Sequence, residues 1–176
     1  MSSDAVTIRM GGIDDAEGIA ASHVSSWKYA YAGHLPAELL DKIDLGERAS
    51  RWRAIIGAFD ASGSYVVVAL VDQVVIGHAS VRTSNVAEYD TRRYFELSSI
   101  YLSPEFIGRG IGASLLGAAI SALPEDAVGM TLWVLRDNAR ARRFYERHGF
   151  APEGRADVAQ LLGVSLPEVL YVRHFY

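Results

Sequence analysis

The segment Leu97-Ser98-Ser99-Ile100-Tyr101-Leu102-Ser103-Pro104-Glu105-Phe106-Ile107-Gly108-Arg109-Gly110-Ile111-Gly112-Ala113 decides how the chain is read. A run of strand character stops at a proline, glycines follow at alternate positions, and an Ala- and Leu-rich helical stretch opens behind them. N–H groups at a helix start have no intrahelical acceptor, and the aligned peptide dipoles make that end positive. Glycine allows the backbone angles and close approach that a phosphate or pyrophosphate cradle needs. Two other readings stand beside the cradle at this point. One is a bare β–α connection. The other is a dinucleotide fingerprint, because Gly108-Arg109-Gly110-Ile111-Gly112-Ala113 formally fits G-x-G-x-x-A. The fingerprint normally follows the first strand of a βαβ unit, with an acid about 20 residues on at the end of the next strand. Here three long strands precede it, and Glu125, Asp126 and Asp137 all miss that position. No G-x-x-x-x-G-K-[ST] occurs.

Working outward, the preceding residues read as a weak strand over Ala5–Met10 and a helix from Asp14–Asp15 to Tyr31, ended by Gly33 and Pro36. A second helical region runs from about Pro36 to Phe59, broken near Gly46. Ser64–Val71 and Val74–Thr83 are Val-rich strands around a two-residue turn, Asp72–Gln73, that lacks the usual glycine. Arg93–Leu102 is the third long strand, Gly108–Leu123 a helix and Val128–Leu135 another strand. Asn138–His148 is helical with Gly149 as its cap, and Phe150–Tyr176 holds two further strands, of which Glu168–Phe175 is the clearer. Ala156–Leu166 has no assignable role. The pattern predicts a mixed α/β fold in a single domain over residues 1–176.

The 176 residues are 50% hydrophobic and 22% charged, ordinary for a globular chain able to bury a core without crosslinks. Cysteine is absent, which removes disulfide scaffolds, thiol nucleophiles and cysteine-rich zinc sites. A net charge of −4 gives no bulk field to hold nucleic acid or an anionic membrane. Of the 17 basic residues only Lys28 and Lys42 are lysine, so local anion contacts fall to arginine. Met1–Met10 has no basic start and apolar core, so no signal peptide is expected. Apolar runs fall short of the ~20 residues of a membrane span, and a cytoplasmic protein is the expectation. His23, His34, His78, His148 and His174 are scattered without metal-ligand spacing. Ser25-Ser26-Trp27-Lys28 fits S-x-x-K without its companion motifs, and no G-x-S-x-G occurs, which excludes a serine hydrolase.

Downstream stands Asn138-Ala139-Arg140-Ala141-Arg142-Arg143-Phe144-Tyr145-Glu146-Arg147-His148-Gly149-Phe150, with Asn138, Ala141 and Tyr145 on one helical face. This segment and the glycine turn, in order and about 30 residues apart, together resemble the GCN5-related N-acetyltransferase (GNAT) superfamily. Gly110-Ile111-Gly112 matches its cofactor motif. N-x-x-A-x-x-F-Y-x-x-x-G-F is complete as Asn138, Ala141, Phe144, Tyr145, Gly149 and Phe150. The run Trp27–Pro36 is similar to the first helix and loop of many bacterial members. Ile107 departs from the pattern, standing where the family usually has Gln or Arg, and Arg109 supplies the positive charge nearby.

The resemblance implies a GNAT fold: a mixed, mostly antiparallel sheet splayed between its fourth and fifth strands, with helices on both faces. It implies acetyl transfer from acetyl-CoA to an amine of a small molecule, peptide or protein, by direct attack and without a metal. The amides of Arg109, Gly110, Ile111, Gly112 and Ala113 take the pyrophosphate, and Ile107 and Gly108 belong to the same cofactor-binding turn. Tyr101, Leu102 and Ser103 pair with the pantetheine amides as an added strand, and the Leu102 N–H polarises the thioester carbonyl. Asn138 contacts the pantetheine arm, Ala141 is a further cofactor-binding residue, and Tyr145 protonates the departing thiolate. Glu96 stands where one branch of the family has a general base acting through water. The alternative for it is a solvent-facing strand residue or a partner of Arg92 or Arg93. Trp27 and Tyr31, one turn apart, line the acceptor pocket or belong to the core. Arg140, Arg142, Arg143 and Arg147 read as a solvated face, with one of them reaching the ribose phosphate of CoA as the alternative. Pairing of two copies through sheet edges is compatible with the resemblance. The competing classes are a non-catalytic acyl-CoA-binding module of the same fold and, third, a nucleotide-dependent oxidoreductase.

Overall fold

A computed structural model describes residues 5–33, 35–59 and 63–175. Met1–Asp4, within the stretch searched for a leader, lie outside the described residues, as do His34 of the Trp27–Pro36 run, residues 60–62 and the terminal Tyr176. The order is β1 (Thr7–Met10), α1 (Ala16–Ala30), α2 (Ala37–Asp41), α3 (Leu45–Gly57), β2 (Tyr65–Val71), β3 (Val74–Thr83) and β4 (Tyr94–Leu102). Then come α4 (Ile111–Ser121), β5 (Gly129–Leu135), α5 (Ala139–Arg147), β6 (Ala151–Leu161) and β7 (Val164–His174). The strands make one seven-stranded sheet in the order β1-β2-β3-β4-β5-β7-β6. Its one parallel pair is β4–β5, which needs a crossover, and α4 lies in that crossover. The β4–β5 ladder joins Tyr94, Phe95 and Glu96 to Gly129, Met130 and Thr131 and then stops, which is the expected splay.

The chain divides into two compact units, residues 1–81 with 99–123, and residues 82–98 with 124–176. In the first, alternation along β2 turns Val66, Val68 and Leu70 onto Ala16, Ile19 and Ala20 of α1 and Ala49 and Trp52 of α3. Each side chain of that size contributes about 1.5–3 kcal/mol when fully buried. Tyr65, of opposite parity, donates its phenol proton to the Ala119 carbonyl of α4, so this unit carries helices on both faces. The hairpin turn forms without glycine: Asp72 and Gln73 both adopt positive φ, 48° and 66°, the twist that two-residue hairpins demand. The break in the second helical region falls at Lys42–Asp44 rather than near Gly46. The Asp44 carboxylate accepts from the Glu47 amide at 2.7 Å and starts α3, leaving Gly46 inside its first turn. Asp15 sits at the N-cap of α1 but does not cap it with its side chain. Its carboxylate accepts from the Gly12 amide at 2.8 Å and pairs with Arg9 at 2.7 Å instead.

In the second unit β5, β7 and β6 carry α5 against Tyr171, whose hydroxyl accepts from Arg142 Nε at 2.9 Å and donates to Glu146 at 2.8 Å. Val86, Leu170 and Val172 form a core on the other face, with Tyr89, Tyr94 and Trp133 packed on it. Arg142 therefore belongs to the packing of this unit and not to a purely solvated face. The unassigned stretch Ala156–Leu166 is the second half of β6, the turn at Leu162–Gly163 and the start of β7. β6 is exposed along most of its length, so it displays no apolar alternation by which to recognise it.

Candidate active site

In the first unit, β4 runs out at Leu102, and a 3-10 turn over Pro104–Phe106 leads to Ile107 in extended backbone. Gly108 and Gly110 then take φ values of 85° and 82°, left-handed angles that favour glycine. A Cβ at either would meet nothing within 4 Å, so the loop is open to an approaching group. Gly110 is the N-cap of α4 without a side-chain bond. The amides of Ala113 and Ser114 close onto the Gly110 carbonyl at 3.0 and 3.2 Å. The first-turn amides of Ile111 and Gly112 thus face outward as donors at the positive end of α4, which suits a pyrophosphate. Arg109 lies over the Phe106 ring at 5.3 Å, holding a guanidinium beside the turn.

β3 positions this turn. A Cβ at Gly77 would lie 2.8 Å from the Tyr101 carbonyl oxygen, so β3 reaches the end of β4 only because residue 77 has no side chain. The Ser103 amide donates to the Ile76 carbonyl at 2.8 Å. By alternation the Leu102 N–H points away from β3 and remains usable as a donor.

Against Tyr101 stands a cluster of rings that the sequence reading missed. His23 stacks on Tyr101 at 4.8 Å, meets Trp27 edge-on at 4.8 Å and lies 5.6 Å from His78, which contacts Trp52 at 4.9 Å. Trp27 in turn meets Tyr31 at 5.4 Å, and Arg48 lies over the Trp27 ring at 5.0 Å. Trp27, Tyr31 and Tyr101 are therefore brought together. Trp52 Nε1 donates to His23 Nδ1 at 3.1 Å, so neutral His23 carries its proton on Nε2, which is buried without a partner among the described residues. Both His78 nitrogens, Trp27 Nε1 and the hydroxyls of Ser22 and Ser26 are likewise buried without partners among the described residues. Burial pushes His23 down to about 2, helped by His78, Arg48 and Arg51, and burial alone pushes His78 down to about 3. Both are neutral at physiological pH. The sequence signal for His23 was its place one turn before Trp27; His78 lies in a Val-rich strand and gave none.

In the second unit Glu96 is 4% exposed, and its Oε1 accepts from Arg82 Nη2 at 2.7 Å and Nε at 3.1 Å. Among the described residues Oε2 is buried without a partner. The ion-pair partner is thus Arg82, across the strand register, and neither Arg92 nor Arg93. Arg92 faces Asp90 at 3.6 Å, and Arg93 donates to the Asp126 carbonyl. Asn138 caps α5, its Oδ1 accepting from the Ala141 amide at 3.0 Å. Tyr145, half-buried on the same helix, packs edge-on against Phe144 at 5.4 Å and Phe150 at 5.9 Å. Glu168 of β7 is a half-buried carboxylate whose pKa is raised by burial first and then by the charges of Asp157 and Glu96. Its strand was foreseen but its carboxylate was not singled out. Among the described residues no helix is long and apolar enough to cross a membrane.

The sequence model of the Acetyltransferase (GNAT) family matches residues 27–150. An uncharacterized N-acetyltransferase of Bacillus subtilis, YuaI, is 31% identical over 93% of this chain and 90% of its own length. A spermidine N(1)-acetyltransferase of Thermoplasma acidophilum is 26% identical over 84% of this chain and 89% of its own. An uncharacterized N-acetyltransferase of Archaeoglobus fulgidus matches at 37% over 46% of this chain, which spans about half (55%) of that relative. The crystal structure of PaiA N-acetyltransferase from T. acidophilum in complex with coenzyme A superposes with a TM-score of 0.73 at 23% identity, covering 97% of this chain and 99% of that one.

Proposed function

The chain belongs to the acetyltransferase (GNAT) family, and from that membership we propose that it moves the acetyl group of acetyl-CoA onto a primary amine by direct attack. It is an acetyl-CoA-dependent acyltransferase. The observation that carries the reading is the turn at Gly108 and Gly110, two open left-handed glycines in front of the outward amides of α4. Bound there, acetyl-CoA supplies the thioester carbon that the amine attacks. The Leu102 N–H donates to the developing oxyanion. Glu96 takes the proton of the arriving ammonium through a water, at the Oε2 that Arg82 leaves uncontacted. Tyr145 gives its proton to the departing sulfur. Trp27 and Tyr31 line the acceptor. The likeness to a spermidine N(1)-acetyltransferase favours a small amine over a protein terminus.

Calorimetric titration with acetyl-CoA, with NADH as the control ligand, tests the cofactor assignment. One saturable acetyl-CoA site per chain and silence with NADH are expected, followed by amine-dependent release of CoA. Acetyl-CoA binding without release by any amine would favour the non-catalytic module instead.

A further inference from the structure

In the first unit the ring cluster beside Tyr101 holds more hydrogen-bonding groups than partners for them. Of the seven buried side-chain atoms without a partner among the described residues, six belong to Ser22, His23, Ser26 and Trp27 of α1 and to His78 of β3. Buried polar groups are nearly always paired, so orphans gathered in one place call for a group that the chain itself does not supply. Their polarity says which kind. Trp27 Nε1 can only donate. His23, 8% exposed, receives the Trp52 proton at Nδ1, so its Nε2 is a donor too, and the ring geometry turns that N–H away from Trp52. Neither donor meets an Asp or Glu among the described residues.

A cation stands at the same place. Arg48 of α3 lies over the Trp27 ring at 5.0 Å, and Trp27 meets His23 edge-on at 4.8 Å. The Arg48 guanidinium is half-buried, and among the described residues it has no hydrogen bond or ion pair. Its setting is electrostatically poor. Arg48 is in the opening turns of α3, near the positive end of that helix, and Arg51 follows three residues on. Burial first and Arg51 next push its pKa down, against smaller upward pulls from Glu47 and Tyr101. An oxyanion would relieve all of this at once, pairing the guanidinium, accepting from the ring N–H groups and meeting the helix dipole favourably. An ammonium would find donors and a like charge instead.

Resting on the acetyl-transfer reading, we propose that Arg48 and the N–H groups of Trp27 and His23 form an oxyanion subsite for an acidic group of the acceptor, so that the preferred acceptor is an amine bearing a carboxylate or phosphonate rather than a polyamine. Tyr101 ties this subsite to the chemistry. Its ring stacks on His23 at 4.8 Å, and the next residue, Leu102, carries the N–H assigned to the thioester oxygen. Trp27, Tyr101 and Arg48 are each part-exposed, so the cluster meets solvent at those three side chains.

The test offers acceptors in sets that share one side chain: an L-amino acid, the corresponding 1-aminoalkylphosphonate and the amine left when the acidic group is removed, with spermidine alongside. CoA release is followed for wild type, Arg48→Gln, Arg48→Lys and Trp27→Phe. Wild type is expected to favour an acid over its parent amine by at least about tenfold in kcat/KM at equal free-base concentration, the scale of one charge-assisted hydrogen bond. Arg48→Gln should reduce that ratio about tenfold through KM, and Arg48→Lys should restore part of it. Trp27→Phe, which keeps a ring and loses the Nε1–H, should reduce it less. The better of the carboxylate and phosphonate arms identifies the anion. A preference for spermidine or the parent amines, or an acid preference that Arg48→Gln leaves in place, overturns the subsite while leaving acetyl transfer standing. Should no amine release CoA, the acetyl-transfer reading is what fails. Calorimetric titration with the same amino acids and phosphonates then decides the subsite separately: saturable binding lost in Arg48→Gln supports it, and none in wild type removes it.

Discussion

Gly77 and Tyr145 carry different kinds of assignment. At Gly77 the constraint is steric, since an added Cβ falls 2.8 Å from both the Tyr101 carbonyl oxygen and Leu102 Cδ1. Gly77→Ala should push the end of β4 away, destabilising the protein by about 1–3 kcal/mol as overpacking does. Acetyl-CoA affinity should weaken with it; a melting curve and a calorimetric titration that both match wild type would disprove the argument. At Tyr145 the assigned role is chemical. Tyr145→Phe keeps the ring packing on Phe144 and Phe150 and removes only the hydroxyl. Turnover should fall roughly 100-fold, the range for a lost general acid, with acetyl-CoA affinity preserved. Steady-state kinetics showing full turnover would take Tyr145 out of that role.

At the scale of elements, the helix starts of α3 and α5 have one-residue devices. Asp44 and Asn138 each satisfy an orphan amide of the first turn, at 2.7 and 3.0 Å. Asn138→Ala should cost about 1 kcal/mol of stability through the lost cap. Asn138→Asp keeps an acceptor at that point and should recover most of it in a urea titration. A wild-type midpoint for the alanine variant would mean that the cap is worth nothing here. α4 uses no side chain at its N-cap, where Gly110 leaves the first amides uncovered. The contrast between a capped α5 and an uncapped α4 is what the assignment of the anion cradle to α4 leads one to expect. Neither cap was singled out in the sequence, where Asn138 was assigned to the cofactor and the start of α3 was placed near Gly46. There Asp44 outcompeted Gly46 because a carboxylate acceptor favours a helix start more than a glycine marks a break.

Across the whole molecule, the two buried histidines make stability depend on pH in a definite direction. Both are held neutral, at about 2 and about 3, against an ordinary value of 6.5. Their contribution is complete above pH 6.5 and is lost as pH falls toward 3, because the unfolded chain binds protons that the folded chain refuses. Between pH 7 and pH 5 each should cost about 2 kcal/mol. Glu168, pushed upward, works in the opposite sense below that range. Urea unfolding at pH 7 and pH 5 checks this; equal stabilities would show that the cluster admits protons without opening. The glycine turn, the Asn138–Phe150 motif and the order of the strands and helices were legible in the chain itself, because they rest on local rules: glycine angles, helix-start donors and periodicity over a few residues. Register was not legible. The partner of Glu96, fourteen positions away on another strand, and the stacking of His23 on Tyr101 exist only once distant strands and helices are laid side by side. Nothing local fixes those pairings; packing of the whole sheet does.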